Sequence, residues 1–230
     1  MGVFFAILII SFWLGHLLWI LLFASVDFLS PLFYFHILVQ TWLFTGLFIT
    51  AHDAMHGSVS KNRKLNNFFG HLSTSLYAFL SYRRLTKKHY QHHLHPATDK
   101  DPDFSPHSNN FFLWWFLFMK NYIVWWQILL MAVTFNVLLI WFNEVRILVF
   151  WVLPSVLSTF QLFFFGTWIP HRRPFTEKME PHFSRSLMRN HTAALLSCFF
   201  FGYHWEHHQS PVTPWWQLYR LKDNKEFRPS

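Results

Sequence analysis

An all-α membrane protein, four transmembrane helices with a cytoplasmic histidine-rich helical cap, is the fold class this sequence predicts, and three observations predict it. Of 230 residues, 53% are hydrophobic and 22% aromatic while only 13% are charged, about half the ~25% usual in a soluble domain. Apolar runs near the roughly 20 residues that a bilayer crossing needs recur four times. Lys and Arg fall almost wholly on one side of the map these runs define, and the clustered histidines fall there too. The single cysteine, Cys198, excludes an internal disulfide, so stability must come from packing and any bound metal.

The first run, Gly2–Ala24, is interrupted only by Ser11, Gly15 and His16. It has no basic start and no small-residue cleavage site, so it reads as a retained span rather than a signal peptide. After Ser25–Ser30 a second span covers Pro31 to Ala51. Phe111–Phe142 is too long for one straight crossing, and Lys120 with Asn121 divides it into a short interfacial piece and a span over Tyr122–Phe142. The fourth span, Ile147–Ile169, stops at Pro170. Phe68–Leu80 and Thr192–Tyr203 are too short to span and are expected to lie in the interface or against the bundle. With no repeat, low-complexity tract or linker, residues 1–230 read as one domain.

Four spans put the N-terminus, the Gly57–Asn110 segment and everything after Pro170 on one side. That side holds seventeen Lys and Arg, from Lys61 to Lys100 and from Arg172 through Lys225 and Arg228; the connectors opposite hold only Arg146. Basic loops stay in the cytoplasm, so both termini are expected there. The net charge of +8 is thus accounted for by topology, and no nucleic-acid partner is expected.

The histidines were not used in that count, yet their clusters share the basic side. His52 and His56 end the second span; His89, His92 and His93 follow in the Gly57–Asn110 segment; His171 ends the fourth span, and His204, His207 and His208 come after it. Residues three and four apart share a helix face, so each cluster can aim two or three imidazoles at one point. Neutral imidazole suits zinc, copper, iron and nickel. One zinc takes about four ligands, so eight clustered histidines plus His171 suit two metals with positions left open for O2. His16, His36, His71, His107, His182 and His191 are read as ordinary surface or hydrogen-bonded residues, and so is His95, which precedes Pro96. A histidine-rich metal transporter would carry its ionisable groups near the middle of its spans, where only His16 and His36 lie.

Boxes of the form HxxxH, HxxHH and HxxHH around four spans resemble the membrane fatty-acid desaturase and hydroxylase superfamily. Closer still, His52-Asp53-Ala54-Met55-His56-Gly57, His92-His93-Leu94-His95-Pro96, Asp101-Pro102-Asp103-Phe104, Phe165 through Arg172, Phe201 through His208 and Pro214-Trp215-Trp216 are similar to the bacterial carotenoid ketolases. The similarity runs from His52 to Leu218, with one departure, Phe200, where many members have histidine. The resemblance implies a desaturase-like fold in the bacterial inner membrane and two iron ions, with O2 as co-substrate. It also implies oxidation of the 4-methylene of a beta-carotene ring to a ketone by two hydroxylations and loss of water. A fatty-acyl desaturase or hydroxylase, or a carotenoid 3-hydroxylase, would share the metal centre and differ in the substrate tunnel.

On that footing the nine histidines are the expected ligands. Ligating imidazoles usually give their second N–H to a carboxylate or carbonyl, for which Asp53, Asp101 and Glu206 are candidates, and Thr167 could hold a metal-linked water. Phe165, Gly166, Trp168, Phe201, Gly202 and Tyr203 are candidates to line a tunnel for a carotenoid arriving from membrane lipid. No Rossmann glycine pattern, P-loop, haem or flavin domain is visible, so electrons are expected from an external donor, and a ferredoxin-like acidic protein suits the basic face.

Overall fold

The computed structural model describes residues 1–224 and is helical, with no strand among the described residues. Lys225, Arg228 and Ser230 lie outside them. Helix α1 covers Gly2–Phe23, and α2 covers Pro31–Met55 with its proline at the first turn, where the missing N–H costs nothing. α2 runs a turn past the expected end at Ala51 and so carries His52 on regular helix. Gly57, at φ +75°, then turns the chain. The expected interfacial run around Phe68–Leu80 is α3, Arg63–Ala78, its first turn capped by the Asn62 side chain. α4, Tyr82–Leu94, begins at a Ser81 cap.

The third crossing differs from the straight helix expected over 122–142. Helix α5 (Phe111–Tyr122) and helix α6 (Trp125–Leu138) meet at an angle of 91°. Ile123 and Val124 between them are extended, and the Gln127 side chain accepts the Val124 N–H (2.7 Å) that a continuous helix would have used. α6, at 14 residues, is about 21 Å long, short of the ~30 Å hydrocarbon core. Among the described residues, three helices are long and apolar enough to cross a membrane, or four if the bent pair counts as one span.

α7 is a single 28-residue helix, Glu144–His171, longer at both ends than the expected 147–169. It contains two π-helical segments, Leu148–Val152 and Phe164–Trp168, each followed within two residues by a proline, Pro154 and Pro170. A proline removes one helical donor and crowds the preceding turn, and the widened turns absorb both faults. Each inserted residue also rotates the remainder of the helix by about 100°, which sets the direction of His171. Beyond it lie α8 (His191–Cys198), α9 (His204–Gln209) and α10 (Leu218–Asp223).

α2 is the axis: 61% of its crossing window is buried, against 33% for α1 and 44% for α7. Phe44, Leu47 and Ile49 are wholly enclosed. Lipid tails are as apolar as leucine, so packing and interhelical hydrogen bonds must hold such a bundle. Thr45 donates to Gln161, which donates to the Ser197 carbonyl; Tyr77 meets Ser158 (2.6 Å), and His16 meets Gln40 (2.6 Å). Phe4, Phe12, Leu38, Ile128 and Val133 face outward, as lipid-facing residues should.

The ends of the bundle are distinct. Gly2 backs onto Val59, just past α2, and Phe5 stacks on Trp216 (4.8 Å), while Arg146 donates to the Leu21 carbonyl (2.7 Å) at the opposite end. The N-terminus and the segments that carry the histidine boxes therefore share one end. Reporter domains inserted in Ser25–Ser30 and after Pro106 are expected to report opposite sides of the membrane, the second cytoplasmic. The same compartment for both would refute this arrangement.

Candidate metal centre

Nine imidazoles meet at that end, delivered by four elements: the close of α2 (His52, His56), α4 (His89, His92, His93), the close of α7 (His171) and α9 (His204, His207, His208). They form two groups. His52, His56, His89 and His207 have nitrogens within 4.8 Å of one another, as do His92, His171, His204 and His208. His93 adjoins both, its Nε2 3.1 Å from that of His89 and 3.0 Å from that of His207 in the first group, and its ring centroid 4.3 Å from that of His208 in the second. The i,i+4 pairs stay together, His52 with His56 and His204 with His208, but the i,i+3 pairs expected to share one point are divided: His89 and His207 join the first group, His92 and His204 the second, a turn apart on each helix.

The protonation demanded by this arrangement is informative. The His92 Nδ1–H donates to both oxygens of Asp101 (3.0 Å each), and the His171 Nδ1–H donates to the Phe183 carbonyl (2.9 Å). Each is left with only a lone pair on Nε2. Nε2 atoms also approach one another between His56 and His89 (2.6 Å), His92 and His208 (3.1 Å), and His204 and His208 (3.1 Å). Buried nitrogens of His52, His171, His204 and His208 have no hydrogen-bond partner. Unpaired polar atoms in the interior are costly, and lone pairs repel wherever neither converging nitrogen carries the proton. A cation in each group takes the converging Nε2 atoms and partners the orphaned Nε2 of His52 and of His171, since ligands about 2.1 Å from one ion stand about 3–3.5 Å apart. Burial, and then the neighbouring imidazoles, hold His89, His204, His207 and His208 well below the usual histidine range, and burial takes His56 down to about 4. They are therefore neutral, as ligands must be. The residues present fit two metal ions.

Behind the imidazoles, Asp101 is nearly enclosed; it accepts from the Ala97 and Asp103 N–H groups as well as from His92. Burial works against charge on both partners, yet the pairing raises His92 and lowers Asp101. Asp53 is 3.8 Å from His52 Nδ1 and accepts the Trp215 N–H (3.2 Å). Glu206 pairs with Lys222 (3.1 Å) rather than with an imidazole. Asp103 was not among the residues expected at the centre, although it stands in the Asp-Pro-Asp-Phe string. Its carboxylate is 3.9 Å from His92 Nδ1, is bonded by the Tyr122 hydroxyl, and is pushed up to about 6 by burial and then by Asp101.

A cavity of about 310 Å³ leads away from the centre. His52, His89, His92 and His204 form its inner end, with Gly166, Thr167 and Phe201 beside them. Its outer end reaches Ile123, Ile128 and Val156, all at least 40% exposed on the lipid-facing surface where α5 bends into α6. Of the six proposed tunnel residues only Gly166 and Phe201 line it. Phe165 packs on the core, Trp168 bonds the Asn109 carbonyl at the surface, Gly202 bonds Leu187, and Tyr203 lies against His191. His95 and His107 are exposed, His71 rests on Tyr82, and His182 bonds Gln209. Phe200 packs against Tyr203 and Tyr219, outside both histidine groups.

The family model for fatty acid desaturases matches residues 29–133 and 117–229. A beta-carotene ketolase of a Paracoccus species (strain N81106) is 44% identical over 91% of this chain and 87% of its own length. A zeaxanthin 4-ketolase of Chlamydomonas reinhardtii is 41% identical over 77% of this chain but 41% of its own. A ferredoxin-named acyl-lipid omega-3 desaturase of Synechocystis is 34% identical over 42% of this chain and 27% of its own. No solved structure matches the chain.

Metal analysis of the purified protein is expected to find about two ions per chain, since one ion has about four ligands. Asp101→Asn is expected to weaken metal retention about 10- to 100-fold against a competing chelator, and His71→Ala to leave it unchanged. Retention unaltered by Asp101→Asn would remove that carboxylate from the centre.

Proposed function

The chain belongs to the fatty acid desaturase family, and from that membership, with beta-carotene ketolases among its relatives, we propose that it is a membrane oxygenase converting the 4-methylene of beta-carotene rings to a ketone. The observation that carries this reading is a single continuous cavity with imidazoles at one end and lipid-facing side chains at the other. A carotenoid is a rigid apolar rod dissolved in the bilayer, and the outer end of the cavity is where such a rod could enter sideways.

In this reading the nine histidines hold two irons, which when bound supply the activation of O2 and the removal of an allylic hydrogen. The rest falls to the chain itself. Asp101 and the Phe183 carbonyl fix His92 and His171 in the tautomer that presents Nε2 inward. Asn66 of the 16-residue α3 donates its amide to the Ala54 carbonyl at the end of α2 (2.7 Å), and Tyr82 at the start of α4 packs on Gly70 of α3. Phe48, Leu80, Leu85, Leu162 and Phe201 give the cavity apolar walls, which keep bulk water from the reacting carbon. Gly166 leaves the space into which the Phe201 ring fits; a Cβ there would overlap it. A second hydroxylation of the same carbon yields a geminal diol that loses water.

The centre faces the cytoplasm of a bacterial inner membrane in this reading, and electrons come from a separate ferredoxin-like carrier. The ferredoxin in the name of the Synechocystis relative supports that choice of donor. An acyl-lipid desaturase or a carotenoid 3-hydroxylase would use the same centre, and their products separate them.

Expression in a beta-carotene-producing bacterium is expected to yield echinenone and then canthaxanthin on pigment chromatography. A 3-hydroxy carotenoid or new acyl double bonds alone would overturn the ketolase reading. Gly166→Leu is expected to drive Phe201 across the cavity and cut ketone formation about a hundredfold with iron content intact. Gly202→Leu strikes Leu187 instead and is expected to lower the yield of folded protein.

A further inference from the structure

The metal centre has a second side. Opposite the apolar cavity, a pocket of about 710 Å³ opens between the end of α2 and helices α3 and α4. Its floor is Met55, His56 and Gly57, and its rim carries Arg63, Arg83 and Lys87. No carboxylate lines it, and among the described residues none of these three cations has an ion pair. Several other cations at this end are committed: Arg173 and Arg185 donate to backbone carbonyls, and Lys222 pairs with Glu206.

The floor matters as much as the rim. His52, His92, His171, His204, His207 and His208 are each at most 5% exposed; His56, His89 and His93 are half-buried, and of these three only His56 lines the pocket. Its Nε2 is 2.6 Å from that of His89, inside the first metal group. Tyr90, 47% exposed, stands beside it with ring centroids 6.0 Å apart, held by its hydroxyl bond to the Met55 carbonyl (3.0 Å). Solvent, His56 and the centre thus follow one another within a single side chain's length.

Resting on the oxygenase reading, we propose that this pocket is the docking surface for a small acidic one-electron carrier protein, and that electrons enter the centre across His56. Each hydroxylation consumes O2, one C–H bond, two electrons and two protons, and returns an alcohol and one water. The carrier is oxidised by one electron at each of two visits. Unpaired cations around the shortest path to the metals would draw an acidic carrier into the orientation that electron transfer needs. Separate sides also let the carrier come and go while the apolar rod stays seated.

The test uses the full chain, iron-loaded, in phosphatidylcholine nanodiscs with beta-carotene, comparing the wild type with an Arg83→Glu/Lys87→Glu variant. Driven by a reduced [2Fe–2S] ferredoxin at low ionic strength, the variant is expected to make ketone at least about tenfold more slowly. Product from a single turnover after dithionite reduction is expected to match the wild type. A ferredoxin with its acidic patch changed to lysines is expected to restore the variant's rate. An unchanged ferredoxin-driven rate overturns the proposal. So does an equal loss with dithionite, provided the milder Arg83→Gln/Lys87→Gln variant, which keeps its iron, shows no ferredoxin-specific loss either. Dependence of the wild-type rate on added phosphatidylglycerol, with ferredoxin dependence the same in variant and wild type, would make the pocket a lipid-headgroup site and also overturn it. Failure of the iron-loaded wild type to oxidise beta-carotene under either reductant would sink the oxygenase reading itself.

Discussion

Everything in this molecule answers to the cost of enclosing nine imidazoles at one end of an apolar bundle. Their Nε2 atoms converge on one another, and the Nε2 of His52 and of His171 is buried with no partner. Such a cluster is unfavourable until cations sit in it. Its geometry therefore has to be imposed by elements rigid enough to resist the repulsion, and helices anchored in a bilayer supply that rigidity. α2, the most buried of the crossings, contributes two imidazoles from its final turns; α7 contributes His171 from its last residue. The other six stand on shorter helices braced against those two.

The centre divides two chemically opposite surroundings. On one side the bend between α5 and α6 removes a straight wall and leaves an apolar cavity between the imidazoles and lipid. On the other, α3 and α4 present cations around a polar pocket that reaches His56. His52 and His89 belong to both faces of this partition: they line the cavity and also stand in the metal group that His56 completes. The proposed oxidation, of a lipid-dissolved carbon with electrons from a soluble carrier, would use such a division.

The boxes were legible because their information is local. The i,i+3 and i,i+4 spacings state which imidazoles share a face without any knowledge of the fold. Asp101 was legible for the same reason, lying nine residues from His92. Asp103 and Tyr122 were not, since their hydrogen bond joins a loop to a helix end nineteen residues away. Nearness in sequence misled at the tunnel: Trp168, Gly202 and Tyr203 lie within three residues of expected ligands but do not line the cavity. Trp168 stands on another face of its helix, where each residue turns by about 100°, and Gly202 and Tyr203 belong to the turn before the next helix. Residues far away in sequence, such as Leu80, Phe118 and Met131, line the cavity instead.

By itself, then, the sequence determined that the chain is an apolar helical bundle, which of its ends is basic, and that the histidine boxes lie at that end, because hydropathy, charge and helical period are properties of short segments. Only the tertiary structure decided the 91° bend at Ile123–Val124, the two widened turns of α7 and the division of nine imidazoles into two groups. Those features depend on how helices meet across the bundle. A proline or a β-branched pair permits a bend, but its angle and direction are set by neighbours such as the Phe79 carbonyl, which takes the Gln127 amide (3.3 Å) from another helix's end.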